Sequence, residues 1–399
     1  MKSIFNHIIA IVIAFSSLLW VSCHRDRYGD GEKGLPIDSL FLDLGKEAFE
    51  QRKLMAERFF SEMYERQGLN GVVLYAEGGQ VVHEEAYGWR LFDRRRDSLR
   101  TDDQFQLGSV SKMFTAEAIM LLHAEGKLSY DDDVRKYIPE FPYRGITLRN
   151  LLNHRSGLSR YESLADEKWP NRSVPLSNED LIKLYVNYHP ETYSSPGLTF
   201  HYNNVNYALL ASVVERVSGV HFEDFMKKEV FEPLGMSHSY IYSLRGVERL
   251  GTYIDSEVQG YDLLRTGAHR MEDDYLNGVM GDKIMYSTVE DLYQFHVALE
   301  RGDFLPDSIQ CEAFEPGSPD WKQGENYGFG WRLHQDHPGA VFHFGWWKGF
   351  RSFFIRDLER GRTLIVLTNT NNGAIGEAMW EFLNDTTVVL PKASVYVGR

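Results

Sequence analysis

The chain has 399 residues, with 43 Lys+Arg against 57 Asp+Glu, a formal charge of 43 − 57 = −14. Its 43% hydrophobic content is too high for a disordered chain, and its length can bury a core without disulfides or structural metals. The acidic balance excludes a general nucleic-acid binder and makes an anionic membrane surface a poor partner.

Residues 8–21 form an apolar run, IIAIVIAFSSLLWV, of signal-peptide length and short for a membrane span. Ser22 and Cys23 follow, then the chain turns polar at His24. The pattern resembles a bacterial lipoprotein signal, in which Cys23 is lipidated and becomes the first residue. Trp20 stands where such signals usually carry Leu. The alternatives are an uncleaved anchor helix or an ordinary secretory signal, and all three place the domain outside the cytoplasm. Cleavage before Cys23 removes Lys2 and makes the charge −14 − 1 = −15. Cys311 is then alone, so no structural disulfide is expected.

Residues 24–45 read as a linker. The spacing of Ala48, Phe49, Leu54, Met55, Phe59 and Met63 predicts a helix over 46–66. The segment GVVLYAEGGQVVHEEAYGW predicts a β-hairpin turning at Glu77-Gly78-Gly79. A helix with an apolar face is expected over 110–125, and further helices over 147–153, 178–187, 205–218, 221–230 and 288–300. AVFHF, RSFFIRD and RTLIVLTN are strand-like, and GAIGEAMWEFLND closes the chain as a helix. Strands at both ends around a helical middle predict one antiparallel sheet plus a mostly helical lobe.

Ser109 and Lys112 stand in S-x-x-K spacing at the start of the 110–125 helix, about one turn apart and so on one face. A serine needs a nearby base to become nucleophilic, and a helix N-terminus offers N–H groups to an oxyanion. Chance alone supplies roughly one such spacing in a chain of this length. The partners carry the argument. Y-x-N occurs at Tyr185, Tyr202 and Tyr275, but only Tyr202-Asn203-Asn204 lies in a loop just before a helix. H-x-G occurs at His337 and His343, and only His343-Phe344-Gly345 ends a strand-like run.

With this ordered set the chain resembles the serine β-lactamase and penicillin-binding-protein superfamily. Its nearest branch is the class C β-lactamase, D-alanyl-D-alanine carboxypeptidase and esterase group. Further stretches that resemble this group include ITLRNLLNHRSGL, FHYNNVNYALLASVVERVSG, FEPLGM and GVMGDKIMYSTVED. The resemblance implies an α+β, β-lactamase/transpeptidase-like fold, with an antiparallel sheet flanked by helices, a helical lobe and a cleft between them. It divides the chain into a signal (1–22), a linker with an N-terminal helix (23–66), a hydrolase domain (67–386) and a tail (387–399).

The same resemblance implies that Ser109 is acylated and that Lys112 holds or shuttles its proton. Tyr202 acts as general base, and Asn204 bonds the substrate amide and steadies Lys112. His343 takes the place of the K-T-G lysine and adds a donor or positive charge. Gly345 leads to Trp346, whose N–H joins that of Ser109 as the oxyanion hole. The implied reaction is hydrolysis of an amide, ester or β-lactam through an acyl-enzyme, with no metal or other cofactor. The implied substrate is a small molecule or a peptidoglycan-derived peptide or ester; the default state is a monomer, held at the envelope through Cys23. The alternative from another class is a non-catalytic sensor that keeps the fold. Phe344 stands where a carboxylate-binding Thr or Ser is usual, and a phenyl ring cannot bond a carboxylate. With Trp346 and Trp347 it predicts a bulky aromatic cleft edge favouring an ester or hydrophobic amide. The other reading of these aromatics is that they pack beneath the sheet. His334, His337 and His343 lack metal-ligand geometry, and His154 with Ser156-Gly157 reads as a brace of the helical lobe.

Overall fold

The computed structural model describes residues 44–244, 257–318, 326–337 and 339–384. The expected signal, Cys23, most of the linker and the 387–399 tail lie outside them.

Seven strands form the main sheet: β1 (Gly71–Glu77), β2 (Gln80–Tyr87), β3 (Asn326–Tyr327), β4 (Arg332–Leu333), β5 (Ala340–Trp347), β6 (Phe350–Asp357) and β7 (Arg362–Thr368). Their order is β3-β4-β5-β6-β7-β1-β2, every neighbour antiparallel. The predicted amino-terminal hairpin thus pairs with the last strand, Gly71 opposite Thr368. Both faces of the sheet are covered, which is why β1 and β7 read as unbroken apolar runs. Val72, Leu74, Phe354, Ile365 and Leu367 join the larger core with the helical lobe. Their neighbours Val73, Tyr75, Phe353, Ile355 and Val366 face a smaller core built by the two terminal helices.

Those helices are α1 (Lys46–Gln67) and α8 (Ile375–Asn384). In α1 the buried residues Ala56, Phe59, Phe60 and Met63 follow the helical period and lie on the sheet. Gly68, at φ 72°, ends the helix and returns its N–H to Met63. Phe60 meets Phe382 of α8 with ring centroids 4.9 Å apart. Burying a side chain of this size contributes roughly 1.5–3 kcal/mol. The helix expected within the amino-terminal segment is therefore packed on the sheet of the domain that follows it.

The lobe contains α2 (Ser111–Ala124), α3 (Leu148–Leu152), α4 (Tyr161–Lys168), α5 (Asn178–Tyr188) and α6 (Asn204–Ser218), and α7 (Val289–Arg301) returns to the sheet. Capping boxes start α3 (Thr147/Asn150) and α5 (Ser177/Asp180). An apolar stripe was expected on α2, but nearly every side is buried, including Ser111, Lys112 and Glu117. The helix expected over 221–230 is one α-turn, Phe222–Phe225, that widens into a π-helix at Met226–Phe231.

Candidate active site

Ser109 sits in a 3₁₀ turn, Gly108–Val110, that runs directly into α2. Gly108 has φ +53°, and a Cβ there would lie 2.7 Å from the backbone nitrogen of Trp346. Gly345 meets the turn from the other side: its Cβ would fall 1.9 Å from Leu107 O and 2.3 Å from Ser352 Oγ. Only glycine at both positions lets β5 press against the serine turn, which brings the Trp346 N–H beside it. Ser352 Oγ donates to Leu107 O (2.5 Å) and ties β6 to the same turn.

One helical turn on, Lys112 is fully buried. Its Nζ donates to Ser109 Oγ (3.1 Å) and to Asp282 O (2.7 Å). It also lies 5.1 Å from the centroid of the Tyr202 ring. Arg332 approaches the same ring at 4.9 Å. The Tyr202 hydroxyl is buried and has no hydrogen-bond partner among the described residues. Ser109, Lys112 and Tyr202, separated by up to 93 positions, are thus gathered where α2 and the start of α6 meet. Asn203 caps α6 by accepting from Val205 N (3.3 Å), which fixes its neighbours on either side.

Asn204 is placed beside them but is engaged differently from the expectation. Its Nδ2 donates to Glu162 Oε1 of α4 (2.6 Å), and its Oδ1 is buried without a partner among the described residues. No described hydrogen bond joins it to Lys112.

His343 does not supply the expected positive charge. It is fully buried. Nδ1 donates to Phe344 O (2.8 Å), so Nε2 accepts from Tyr327 OH (3.0 Å). Burial, then the charges of Arg332 and Lys112, hold the imidazole well below its ordinary pKa. It orients Tyr327, whose ring stands 5.9 Å from that of Tyr202. His154 completes this aromatic cluster, its ring 4.3 Å from Tyr202. Its Nδ1 accepts from Asn203 N (3.2 Å) and Asn206 Nδ2 (3.0 Å). Burial and Lys112 likewise keep it neutral.

Phe344 does not form a cleft edge. Strand alternation turns it to the opposite face, against Phe342 and Phe353 at 4.9 Å each and Trp380 at 6.3 Å. Trp346 shares that parity and is 57% exposed; what it offers the serine turn is its backbone. Trp347 lies on the His343 face, where Nε1 donates to Asn277 Oδ1 (3.2 Å) and Lys283 Nζ sits 5.0 Å over its ring.

A charged cluster that sequence reasoning missed lies behind Lys112. Lys283 Nζ donates to Asp282 Oδ2 (2.9 Å) and to the hydroxyl of Tyr161, which itself donates to Asp282 Oδ2 (2.9 Å). Lys283 is 2% exposed and Asp282 fully buried. Burial, with the Asp282 carboxylate, holds the Tyr161 hydroxyl far above its ordinary pKa. Among the described residues, Glu215, His221 and Glu223 have ligand atoms within 4.8 Å of one another. They stand at the far end of α6, roughly 16 Å along the helix from Asn204.

The profile of the Beta-lactamase family matches residues 56–387. Penicillin-binding protein 4* of Bacillus subtilis (strain 168) is 34% identical over 325 residues, 78% of this chain and 71% of that protein. A teichoic acid D-alanine hydrolase of Staphylococcus aureus (strain MRSA252) is 27% identical over 262 residues, 65% of this chain and 62% of that protein. The octameric penicillin-binding protein homologue from Pyrococcus abyssi superposes with a TM-score of 0.67 at 28% identity, covering 80% of this chain and 73% of that one. With the fold and the Ser109-centred site on the same residues that the profile spans, the chain belongs to the Beta-lactamase family.

Proposed function

We propose that this protein is a serine hydrolase of the class C-like branch that cleaves an amide or ester of a D-alanyl group through an acyl-enzyme on Ser109. The observation that carries this reading is the 3.1 Å contact of a fully buried Lys112 Nζ with Ser109 Oγ, with the Tyr202 ring centroid 5.1 Å from the same nitrogen. Ser109 Oγ attacks the acyl carbon while its proton passes to the Lys112/Tyr202 pair. The backbone N–H groups of Ser109 and Trp346 take the developing oxyanion. Tyr202 returns the proton to the leaving group, and water then hydrolyses the acyl-enzyme by the reverse relay. The D-alanyl assignment draws on the similarity to a teichoic acid D-alanine hydrolase and to penicillin-binding protein 4*. The gathering of Ser109, Lys112 and Tyr202 in one place, with Lys112 Nζ in reach of both the serine and the tyrosine ring, favours the enzyme over the binding protein.

Labelling with a fluorophosphonate, proteolysis and mass spectrometry are expected to locate one adduct per chain, on the peptide containing Ser109. An adduct on another serine, or none, sinks the assignment. The apolar run before Cys23 supports lipid anchoring at the cell envelope; among the described residues no helix is long and apolar enough to cross a membrane. Expressed in a bacterium, the full chain should enter the detergent phase on Triton X-114 partition and a Cys23→Ser chain the aqueous phase. Equal partition of the two refutes the anchor.

A further inference from the structure

Tyr202 is held on both sides by a single residue. His201 N donates to His154 O (2.9 Å), and Asn203 N donates to His154 Nδ1 (3.2 Å). The N–H groups of the two residues next to Tyr202 thus end on the backbone and the ring of the same histidine. That ring also packs on the tyrosine it brackets, with centroids 4.3 Å apart. A brace of the helical lobe alone would join helix to helix. These bonds go instead to the loop that carries Tyr202.

The clamp has one geometry. His154 follows α3 by two residues, is fully buried and has φ +58°, a left-handed conformation uncommon outside glycine. Its Nδ1 takes a second bond from Asn206 Nδ2 (3.0 Å), and Ser156 Oγ donates to Asn206 Oδ1 (2.6 Å), which fixes the amide's orientation. Two donors aimed at Nδ1 require that it carry no hydrogen, so the neutral ring carries it on Nε2. Burial, then Lys112 and Arg332, keep the ring neutral. Nε2 has no hydrogen-bond partner among the described residues, and the rings of Tyr207 and Tyr327 stand 5.1 and 4.6 Å away. Among the described residues, every hydrogen bond of this side chain therefore runs to Asn203 or Asn206, the residues that open α6.

We propose that His154 is a positioning residue for the general base: it holds the Tyr202 side chain beside Lys112, and its loss slows reaction at Ser109 through Tyr202. This rests on the serine-hydrolase reading above. A general base acts only within hydrogen-bond reach of the proton it takes, and a displacement of about 1 Å can cost about a hundredfold. The Tyr202 hydroxyl has no hydrogen bond among the described residues that would set its distance from the serine. Its placement falls to the backbone on either side and to the ring beneath it, and His154 supplies a contact to each.

The test is a double-mutant cycle read by the second-order rate of Ser109 labelling with a fluorophosphonate, in chains whose thermal melts show them folded. His154→Leu keeps bulk but removes the acceptor. His154→Asn keeps an acceptor at the position of Nδ1 and tolerates the left-handed backbone. Labelling should slow about ten- to a hundredfold in His154→Leu and return to within about threefold of the wild type in His154→Asn. In a Tyr202→Phe chain, already slow for want of the base, adding His154→Leu should change the rate by less than about twofold, because the two residues serve one step. An equal fall in both backgrounds makes His154 a brace of the whole site and overturns the proposal. An undiminished rate in His154→Leu does so too, as does a His154→Asn chain no faster than His154→Leu. If the leucine chain does not fold, Ser156→Ala, which releases Asn206, enters the same cycle. A loss confined to the chain with Tyr202 then supports the proposal, and any other result overturns it. Wild-type speed in Tyr202→Phe overturns the general-base assignment and the proposal with it, whereas a wild type that is not labelled at all overturns the serine-hydrolase reading first.

Discussion

Replacing Ser109 with alanine should abolish the fluorophosphonate adduct and lower turnover by about a thousandfold or more, the scale of losing a nucleophile that acts as one unit with its base. The side chain projects from a turn clamped by Gly108 and Gly345, and Lys112 Nζ is aimed at it from 3.1 Å. Removing one hydroxyl leaves that clamp and the backbone N–H groups in place, so the fold should persist. Because Ser109 and Lys112 serve a single proton-coupled step, a Ser109→Ala/Lys112→Met double variant should be no slower than Ser109→Ala alone. Steady-state kinetics on a thioester of D-alanine, read by thiol release, decides the matter. Turnover in Ser109→Ala within tenfold of the wild type would place the chemistry elsewhere.

The second large effect is on stability. Exchanging Lys283 for methionine removes the cation from a cluster that is almost wholly out of solvent. Asp282 then keeps a buried carboxylate with, among the described residues, only Tyr161 as a hydrogen-bonding side chain. Stranding one partner of a buried pair costs about 3–5 kcal/mol. An Asp282→Asn/Lys283→Met chain, with both charges gone, should recover most of that loss. Denaturant melts of the three chains supply the cycle, and a Lys283→Met loss below about 1 kcal/mol would contradict the geometry. Activity should fall too, since the Asp282 carbonyl that the cluster steadies is one of two acceptors for Lys112 Nζ.

How much of this was legible in the sequence follows from the range of each signal. Ser109 and Lys112 could be read because their relation spans one helical turn, and Tyr202 because a loop and a helix follow one another locally. The hairpin of β1 and β2 carried its own turn. His343 and Phe344 show where local reading ends. Alternation says that adjacent strand residues face opposite sides, but which side meets the lobe depends on β6 and on the helices packed there. Hence His343 proved to be a neutral brace for Tyr327, and Phe344 a core residue against Trp380. Asp282 and Lys283 stood within a recognised stretch, yet adjacent charges look alike whether solvated or buried. Glu162 was invisible for another reason. Its helix, α4, starts at Tyr161 with no side-chain cap from Arg160, and its partner Asn204 lies 42 positions away.

The pairing of Gly71 with Thr368 spans 297 positions. At a synthesis rate of about 5–20 residues per second, the first hairpin exists for roughly 15–60 s before its partner strand is made. Throughout that interval the β1 edge, with its run of Val72, Val73, Leu74 and Tyr75, is an open template for any passing strand. The nascent chain therefore carries an unpaired, apolar strand edge until its last strand arrives.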